Sequence, residues 1–362
     1  MDLLGKSLEE LRALAVSLGE PDYRGAQLYH SLYAERQLDL ARMTVLPAPL
    51  RRRLAAEASV ELPRVARRHE SVDRSVRYLL ALGPAPESGA SHSPAPTAIE
   101  TVFMPSEDRQ TICVSTQAGC AVNCRFCLTA TLGLVRNLTA GEILAQVLVA
   151  LAENATRLAP RTNVVYMGQG EPLLNYDATL QATRILLDPA GMALAPRRVT
   201  LSTSGILPGI DRLAGERVRP KLAISLNASN DEQRSRLMPI NRKYPLGELL
   251  AACRRYPLRS WERLTFEYVL LGGCNDSPDD ARRVARLLSS LRAKVNLIPW
   301  NPGELPYRIP EPGAVEEFRR ALLGRGVPVF VRDSRGRDVM AACGQLASIE
   351  QAAALPAHVP SS

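Results

Sequence analysis

Residues 111–127 read TICVSTQAGCAVNCRFC, in which a short strand-like run is followed at once by three cysteines in a CxxxCxxC array. The three thiols belong to Cys120, Cys124 and Cys127. Structural zinc sites use four ligands, whereas a four-iron cluster held by three cysteines leaves one iron open to a small molecule. The array therefore predicts a [4Fe-4S] cluster. The alternative is a zinc site completed by Cys113 or Cys343.

The open iron of such a cluster would bind the amino and carboxylate groups of S-adenosylmethionine, and one electron would then cleave this cofactor to a deoxyadenosyl radical. The next strand supports this interpretation because it ends in Met167-Gly-Gln-Gly170-Glu171-Pro. Its glycines allow a close approach of the backbone, and the Glu171 carboxylate can accept a hydrogen bond from an ammonium group.

Strand-like and helical runs alternate from about residue 99 onward. This succession predicts a parallel sheet with right-handed crossovers, six or seven units long. A full eight-unit barrel would need more chain, so we expect an α/β fold, a partial (β/α)6-type barrel with its site at the carboxyl ends of the strands. The predicted strands are TICVST (111–116), NVVYM (163–167), RVTLST (198–203), KLAISL (221–226), LTFEYVLL (264–271), KVNLIPW (294–300) and VPVFVRD (327–333).

Small polar side chains lie at the ends of three of these strands. They are Ser202 and Ser204 in LSTSG, Ser225 and Asn227 in AISLN, and Asn301 in IPWNP. Each alone is more often a turn or N-cap residue than a ligand. Their shared placement predicts that they surround the ribose and adenine of the cofactor.

The N-terminal part of the chain has a different pattern. Residues 1–60 have helical periodicity and residues 61–83 alternate like strands, which predicts a small basic domain over 1–83. Residues 84–98, rich in Pro, Ser, Gly and Ala, predict a flexible loop. The barrel and its Cys343 segment would then occupy 99–346, and a tail 347–362.

The formal net charge of +8 and the pI of about 9.3 make a polyanionic partner such as RNA plausible. The seven cysteines are an odd number in a chain without a secretory signal, which argues against a disulfide scaffold. No apolar run approaches the roughly 20 residues that cross a bilayer. We therefore expect a cytoplasmic protein with no membrane contact.

The cluster leaves two cysteines without a function. Cys113 lies seven residues before the first cluster cysteine, and Cys343 lies in AACGQL near the end of the chain. Both are compatible with small buried apolar residues, although Cys343, beside a glycine, could swing into the barrel mouth. Glu100, in AIETVFMP, has by itself the pattern of a surface charge.

From Leu3 to Leu346 the chain resembles the RlmN/Cfr family of radical S-adenosylmethionine RNA methyltransferases. The matching segments are SLEELRALAVSLGEPDYRGAQLYHSLY, IETVFMP, CVSTQAGCAVNCRFC, RNLTAGEILAQV, NVVYMGQGEPLLNYD, RVTLSTSG, LMPINRKYPL, NLIPWNP and AACGQL. The resemblance implies that Cys120, Cys124 and Cys127 hold the [4Fe-4S] cluster. It also implies the cofactor-binding residues Gly170, Glu171, Ser202, Ser225, Leu226, Asn227 and Asn301.

The resemblance gives the two remaining cysteines and Glu100 catalytic roles. One S-adenosylmethionine would methylate Cys343, and the radical from a second would remove hydrogen from that methyl group. The resulting carbon radical would add to the adenine ring. Cys113 would then attack the sulfur of Cys343, releasing the methylated base and leaving a transient disulfide, with Cys113 or Glu100 taking the ring proton.

The implied substrates are an adenosine of the peptidyl-transferase centre in 23S rRNA and, in dual-specificity members, the tRNA adenosine 3′ of the anticodon. We expect methylation at C2, an electron donor such as flavodoxin or ferredoxin, and a monomer. Methylation at C8, as in resistance enzymes, and a radical reaction on a non-RNA substrate are the alternatives. The chain departs from the family pattern at Gln169, Asn227 and Gly273-Cys274.

Overall fold

The computed structural model describes residues 1–83 and 97–346. The N-terminal part contains three helices, α1 (Leu8–Ser17), α2 (Tyr23–Tyr33) and α3 (Ala48–Glu57). Helix α1 begins with a capping box, in which Ser7 Oγ accepts from the Glu10 backbone N–H and the Glu10 carboxylate accepts from the Ser7 N–H. These helices pack their apolar faces into the same core as the rest of the molecule.

The described ranges contain twelve strands. They are β1 (Arg64–Glu70), β2 (Val76–Ala81), β3 (Ala98–Pro105), β4 (Gln110–Cys113), β5 (Gln117–Gly119), β6 (Leu134–Asn137), β7 (Thr162–Tyr166), β8 (Val199–Thr203), β9 (Lys221–Ser225), β10 (Leu264–Leu270), β11 (Ala293–Pro299) and β12 (Val329–Val331). Ten form one sheet in the order β1-β2-β3-β4-β7-β8-β9-β10-β11-β12, and β5 pairs with β6.

Strands β4 and β7 to β12 are parallel neighbours, which confirms the predicted partial barrel. All seven predicted strands are present. The connecting helices are α4 (Ala140–Ala152), α5 (Tyr176–Leu187), α6 (Leu207–Ala214), α7 (Asp231–Leu237), α8 (Leu246–Arg255), α9 (Pro278–Leu288) and α10 (Pro312–Leu323). Helices α6 and α7 were not predicted, since each spans only about two turns.

The β1–β2 ribbon belongs to the same sheet as the barrel. Strand β3 pairs with β2 on one side and with β4 on the other, both antiparallel. Residues 84–96 of the predicted loop lie outside the described residues, and its predicted end at 98 is wrong because Ala98 pairs with Ala81 in the sheet. The tail 347–362 also lies outside the described residues. The division into domains stays a prediction.

The N-terminal segment approaches the barrel backbone to backbone. A Cβ added to Gly5 would lie 2.3 Å from the Gly141 nitrogen at the start of α4, and one added to Gly141 would lie 2.4 Å from Leu4 O. Only glycine permits this contact. Within residues 1–83 and 97–346, no helix has the length and apolar character of a membrane span.

Candidate active site at the carboxyl end of the barrel

A cavity of about 960 Å³ lies where the parallel strands end. Its walls come from the loops after β4, β7, β8 and β9, and from side chains of β10 and β11. Most of the predicted site residues line it, although they are up to 223 positions apart in the chain (120 to 343). The lining includes Cys120, Cys124, Cys127, Gly170, Glu171, Ser202, Ser225, Asn227 and Cys343.

The three cysteines of the CxxxCxxC array lie on the loop after β5. Burial raises the pKa of all three thiols, that of Cys120 to about 12, so iron binding would have to deprotonate them. No three His, Cys, Asp or Glu side chains within 1–83 and 97–346 converge on one metal ion. A cubane does not require such convergence, because each thiolate binds a different iron. The buried soft donors therefore fit a [4Fe-4S] cluster.

Glu171 is held at the cavity wall by backbone groups. Its Oε1 accepts from Leu173 N (3.1 Å) and its Oε2 from Ser204 N (2.7 Å). Burial raises its pKa, and it forms no ion pair with a lysine or arginine of the described residues. A buried carboxylate is stabilised by a compensating cation, and the ammonium group of S-adenosylmethionine would provide one.

Gly170 fixes the position of this carboxylate. Its φ is +96°, and a Cβ there would lie 2.6 Å from the Gln117 Cβ. Gln117 in turn accepts a hydrogen bond from Glu171 N through Oε1 (2.8 Å). The loop after β7 therefore packs directly against the strand that leads into the cysteine array.

Asn227 lines the cavity, and its side-chain amide is hydrogen-bonded to the protein. Its φ of +54° is left-handed, a conformation that Asn tolerates, and its Oδ1 accepts from Val269 N (2.8 Å). The neighbouring Leu226 is fully buried and does not line the cavity, and its N–H donates to Glu267 O (2.9 Å). Leu226 could therefore contribute to a cofactor site through its backbone alone.

Asn301 also lies behind the cavity wall. Its Nδ2 donates to the backbone oxygen of Cys343 (3.2 Å), and its Oδ1 accepts from Arg337 Nε (3.1 Å). In the structure it therefore supports the Cys343 segment, residues 332–346.

Cys113, on β4, is buried beside the Cys343 segment. It packs with Ala341 and Leu346, on either side of Cys343 in sequence. Burial raises the pKa of the Cys113 thiol, and the nearby Cys343 contributes a smaller increase. Glu100, on β3, is buried rather than at the surface, and its Oε1 lies 2.6 Å from Arg77 Nη1. Neither Cys113 nor Glu100 lines the cavity itself.

Two further residues of this region were missed by the sequence analysis. Arg234, on α7, is fully buried and donates to Ser204 O (2.6 Å), Ser225 O (3.1 Å) and Leu226 O (3.2 Å), so it joins the ends of β8 and β9. Burial lowers its pKa to about 10. In the sequence, Arg234 is one of several charged residues in a short polar run, so nothing indicated that it joins two strand ends.

Glu267, on β10, is the second missed residue. It lines the cavity, is in register with Ser225 on β9 and Asn296 on β11, and accepts from Asn296 Nδ2 (2.8 Å). Burial raises its pKa. A lone charge between Phe266 and Tyr268 in an apolar strand was the available signal.

Comparison with known proteins identifies the family of the chain. Residues 114–288 match the family model "Radical SAM superfamily", and residues 1–60 match "Ribosomal RNA large subunit methyltransferase N-terminal domain". A probable dual-specificity RNA methyltransferase RlmN of Koribacter versatilis is 49% identical over 92% of this chain and 98% of its own length. A dual-specificity RNA methyltransferase RlmN of Anaeromyxobacter dehalogenans is 46% identical over 96% of this chain and 92% of its own.

A solved structure is similar over nearly the whole chain. A radical SAM methyltransferase from Sphaerobacter thermophilus superposes with a TM-score of 0.86 at 45% identity, covering 96% of this chain and 99% of that one. The fold, the cysteine array on its cavity and these full-length relatives lead to one conclusion. The chain belongs to the RlmN family of radical S-adenosylmethionine RNA methyltransferases.

Proposed function

We propose that this protein methylates C2 of an adenine in 23S rRNA and in tRNA, through a methyl group carried on Cys343. The observation that carries the proposal is one shared cavity. Cys343, the three cysteines of the array and Glu171 all line it. A thiol that must receive a methyl group and then present it to a base has to lie beside the methyl donor, and Cys343 shares its cavity with the residues proposed to hold that donor. The C2 position and the two RNA substrates follow from the family resemblance, and the relatives' names support an RNA substrate.

When bound, the [4Fe-4S] cluster and S-adenosylmethionine supply the methyl group and a radical that removes a hydrogen atom. Cys120, Cys124 and Cys127 would hold the cluster. Glu171 would bind the ammonium group, and Gly170, Ser202, Ser225, Leu226, Asn227 and Asn301 would complete the cofactor site. Methylating Cys343 and then activating its methyl group needs two cofactor molecules per turnover. A small electron carrier such as flavodoxin or ferredoxin would supply the electron.

Cys113 and Glu100 complete the reaction on the protein side. Cys113, as the thiolate, attacks the Cys343 sulfur and forms a disulfide. The carbon–sulfur bond to the base breaks, and the carbon leaves with the electron pair and takes up a proton to become the methyl group. Cys113 or Glu100, the latter a carboxylate held by Arg77, takes the ring proton.

The N-terminal part would bind the RNA. It matches the N-terminal domain of the rRNA methyltransferases, and α3 carries Arg51, Arg52 and Arg53 in succession. Such arginines suit phosphate contacts. We propose that the protein works as a monomer in the cytoplasm.

Replacing Cys343 with Ala tests this proposal. The variant should keep the cluster and cleave S-adenosylmethionine but transfer no methyl group to RNA. Cys113→Ala should instead stop later, with RNA covalently attached to Cys343, and peptide mass spectrometry would detect this adduct. Cys253→Ala, at a buried cysteine outside the cavity, is the control. Methylated RNA from the Cys343→Ala variant would contradict the proposal.

A further inference from the structure

The turn between β1 and β2, residues 71–75, forms hydrogen bonds with the Cys343 segment. The Asp338 carboxylate accepts from Ser71 Oγ (2.5 Å) and from Val72 N (3.1 Å). In the opposite direction, Asp73 Oδ2 accepts from Gly336 N (3.0 Å). Three hydrogen bonds thus join two parts of the chain that are more than 260 residues apart.

Hydrogen bonds within the turn itself fix its conformation. Ser71 N donates to Ser75 O (2.8 Å), and Ser75 N donates to Asp73 Oδ1 (2.8 Å). Each carboxylate of the contact therefore has a fixed direction. The hydrogen bond from Ser71 also holds the pKa of Asp338 below its usual value, so the acceptor is charged at neutral pH.

The Cys343 segment needs such anchors because its backbone is strained. Met340 has a φ of +54°, in the left-handed region that a methionine rarely occupies. Beyond Met340, Leu128 N donates to Gly344 O (2.8 Å) and Gln345 Nε2 donates to Pro302 O (2.7 Å). Cys343 therefore lies between an anchor on the β1–β2 turn and anchors on the barrel loops.

We propose that Ser71, Asp73 and Asp338 are positioning residues that hold Cys343 at the cavity. The role of Cys343 itself rests on the proposed function. Its sulfur would have to meet a methyl donor, a base and Cys113 in turn, and an error of about 1 Å in such an arrangement costs on the order of a hundredfold in rate. The turn belongs to the ribbon that follows the N-terminal helices. The contact therefore links the N-terminal part of the molecule to the segment that carries Cys343.

The test compares Asp338→Asn and Ser71→Ala with a matched control, Asp333→Asn. Asp333 lies on the same segment, is exposed and makes no hydrogen bond or ion pair with the described residues. Four properties are measured in each reconstituted variant: S-adenosylmethionine cleavage, the melting temperature and the two that follow. Hydrogen–deuterium exchange reports the opening of residues 336–346, and peptide mass spectrometry reports the fraction of Cys343 that carries a methyl group.

We expect exchange over 336–346 to rise about tenfold in Asp338→Asn, since a hydrogen bond to a charged group is lost. The methylated fraction of Cys343 should fall at least about threefold, while S-adenosylmethionine cleavage and the melting temperature stay near wild type. Ser71→Ala should show a smaller effect because Val72 N still donates, and Ser71→Thr should restore the wild-type values.

Unchanged exchange in Asp338→Asn would overturn the proposal, and so would raised exchange with a wild-type methylated fraction. If wild-type Cys343 itself carries no methyl group, the proposed function fails and the exchange result alone decides whether the turn holds the segment.

Discussion

At the scale of single residues, Glu171 is a buried carboxylate bonded to two backbone N–H groups and to no cation of the described residues. We predict that Glu171→Gln weakens S-adenosylmethionine binding about tenfold to a hundredfold, because a charge-assisted hydrogen bond becomes a neutral one. Equilibrium dialysis with the reconstituted protein measures this. Glu248→Gln, at an exposed position on α8, should bind as the wild type does. Wild-type affinity in Glu171→Gln would exclude Glu171 as the ammonium ligand.

Arg234 is a single residue that stabilises the fold. Its guanidinium satisfies the backbone oxygens of Ser204, Ser225 and Leu226. Arg234→Met leaves these buried carbonyls without a donor, so the free energy of unfolding should fall by about 3 kcal/mol or more. Urea denaturation measures this loss. Arg236→Met, on the same helix but exposed, should cost less than about 0.5 kcal/mol, and equal effects of the two changes would contradict the argument.

At the scale of elements, α9 is fixed at its N-terminus by Asp280. Partial burial raises the pKa of Asp280, but hydrogen bonds from Ser229, Ser277 and Arg283 outweigh it, so the pKa lies below its usual value. A lowered carboxyl pKa adds stability above the unfolded pKa of about 3.9, and this stability is lost as the pH falls through the folded pKa. Asp280→Asn should therefore be more destabilising at pH 7 than at pH 3. Melting curves at both pH values test this, and an equal loss at both would be inconsistent with an ionised Asp280.

Some elements of the fold could be predicted from the sequence, and others could not. The seven parallel strands were predicted because each is a short strand-like run that alternates with helical runs along the chain, a local signal. The cysteine array was equally local. Arg234 and Glu267 were not predicted, because their partners come from two or three different strands and meet only in the folded sheet. The union of the β1–β2 ribbon with the barrel depends on β3, whose sequence does not specify its neighbours.

For the whole molecule, the docking of the N-terminal part on the barrel depends on Gly141. A Cβ at this second residue of α4 would lie 2.4 Å from Leu4 O. Gly141→Ala should displace the N-terminal segment, raise its susceptibility to limited proteolysis and weaken RNA binding several-fold, with cofactor binding retained. Gly247, the second residue of α8, has open space around it, so Gly247→Ala is the control. Wild-type proteolysis and RNA affinity in Gly141→Ala would contradict this interpretation.

The central claim concerns the product of the whole enzyme. The most direct measurement is anaerobic incubation of the reconstituted protein, a reductant and S-adenosylmethionine with unmodified rRNA and tRNA. Mass spectrometry of the nucleosides, against 2-methyladenosine and 8-methyladenosine standards, follows. We predict 2-methyladenosine in both RNAs. A product at 8-methyladenosine, or cofactor cleavage without a methylated adenosine, would contradict the account.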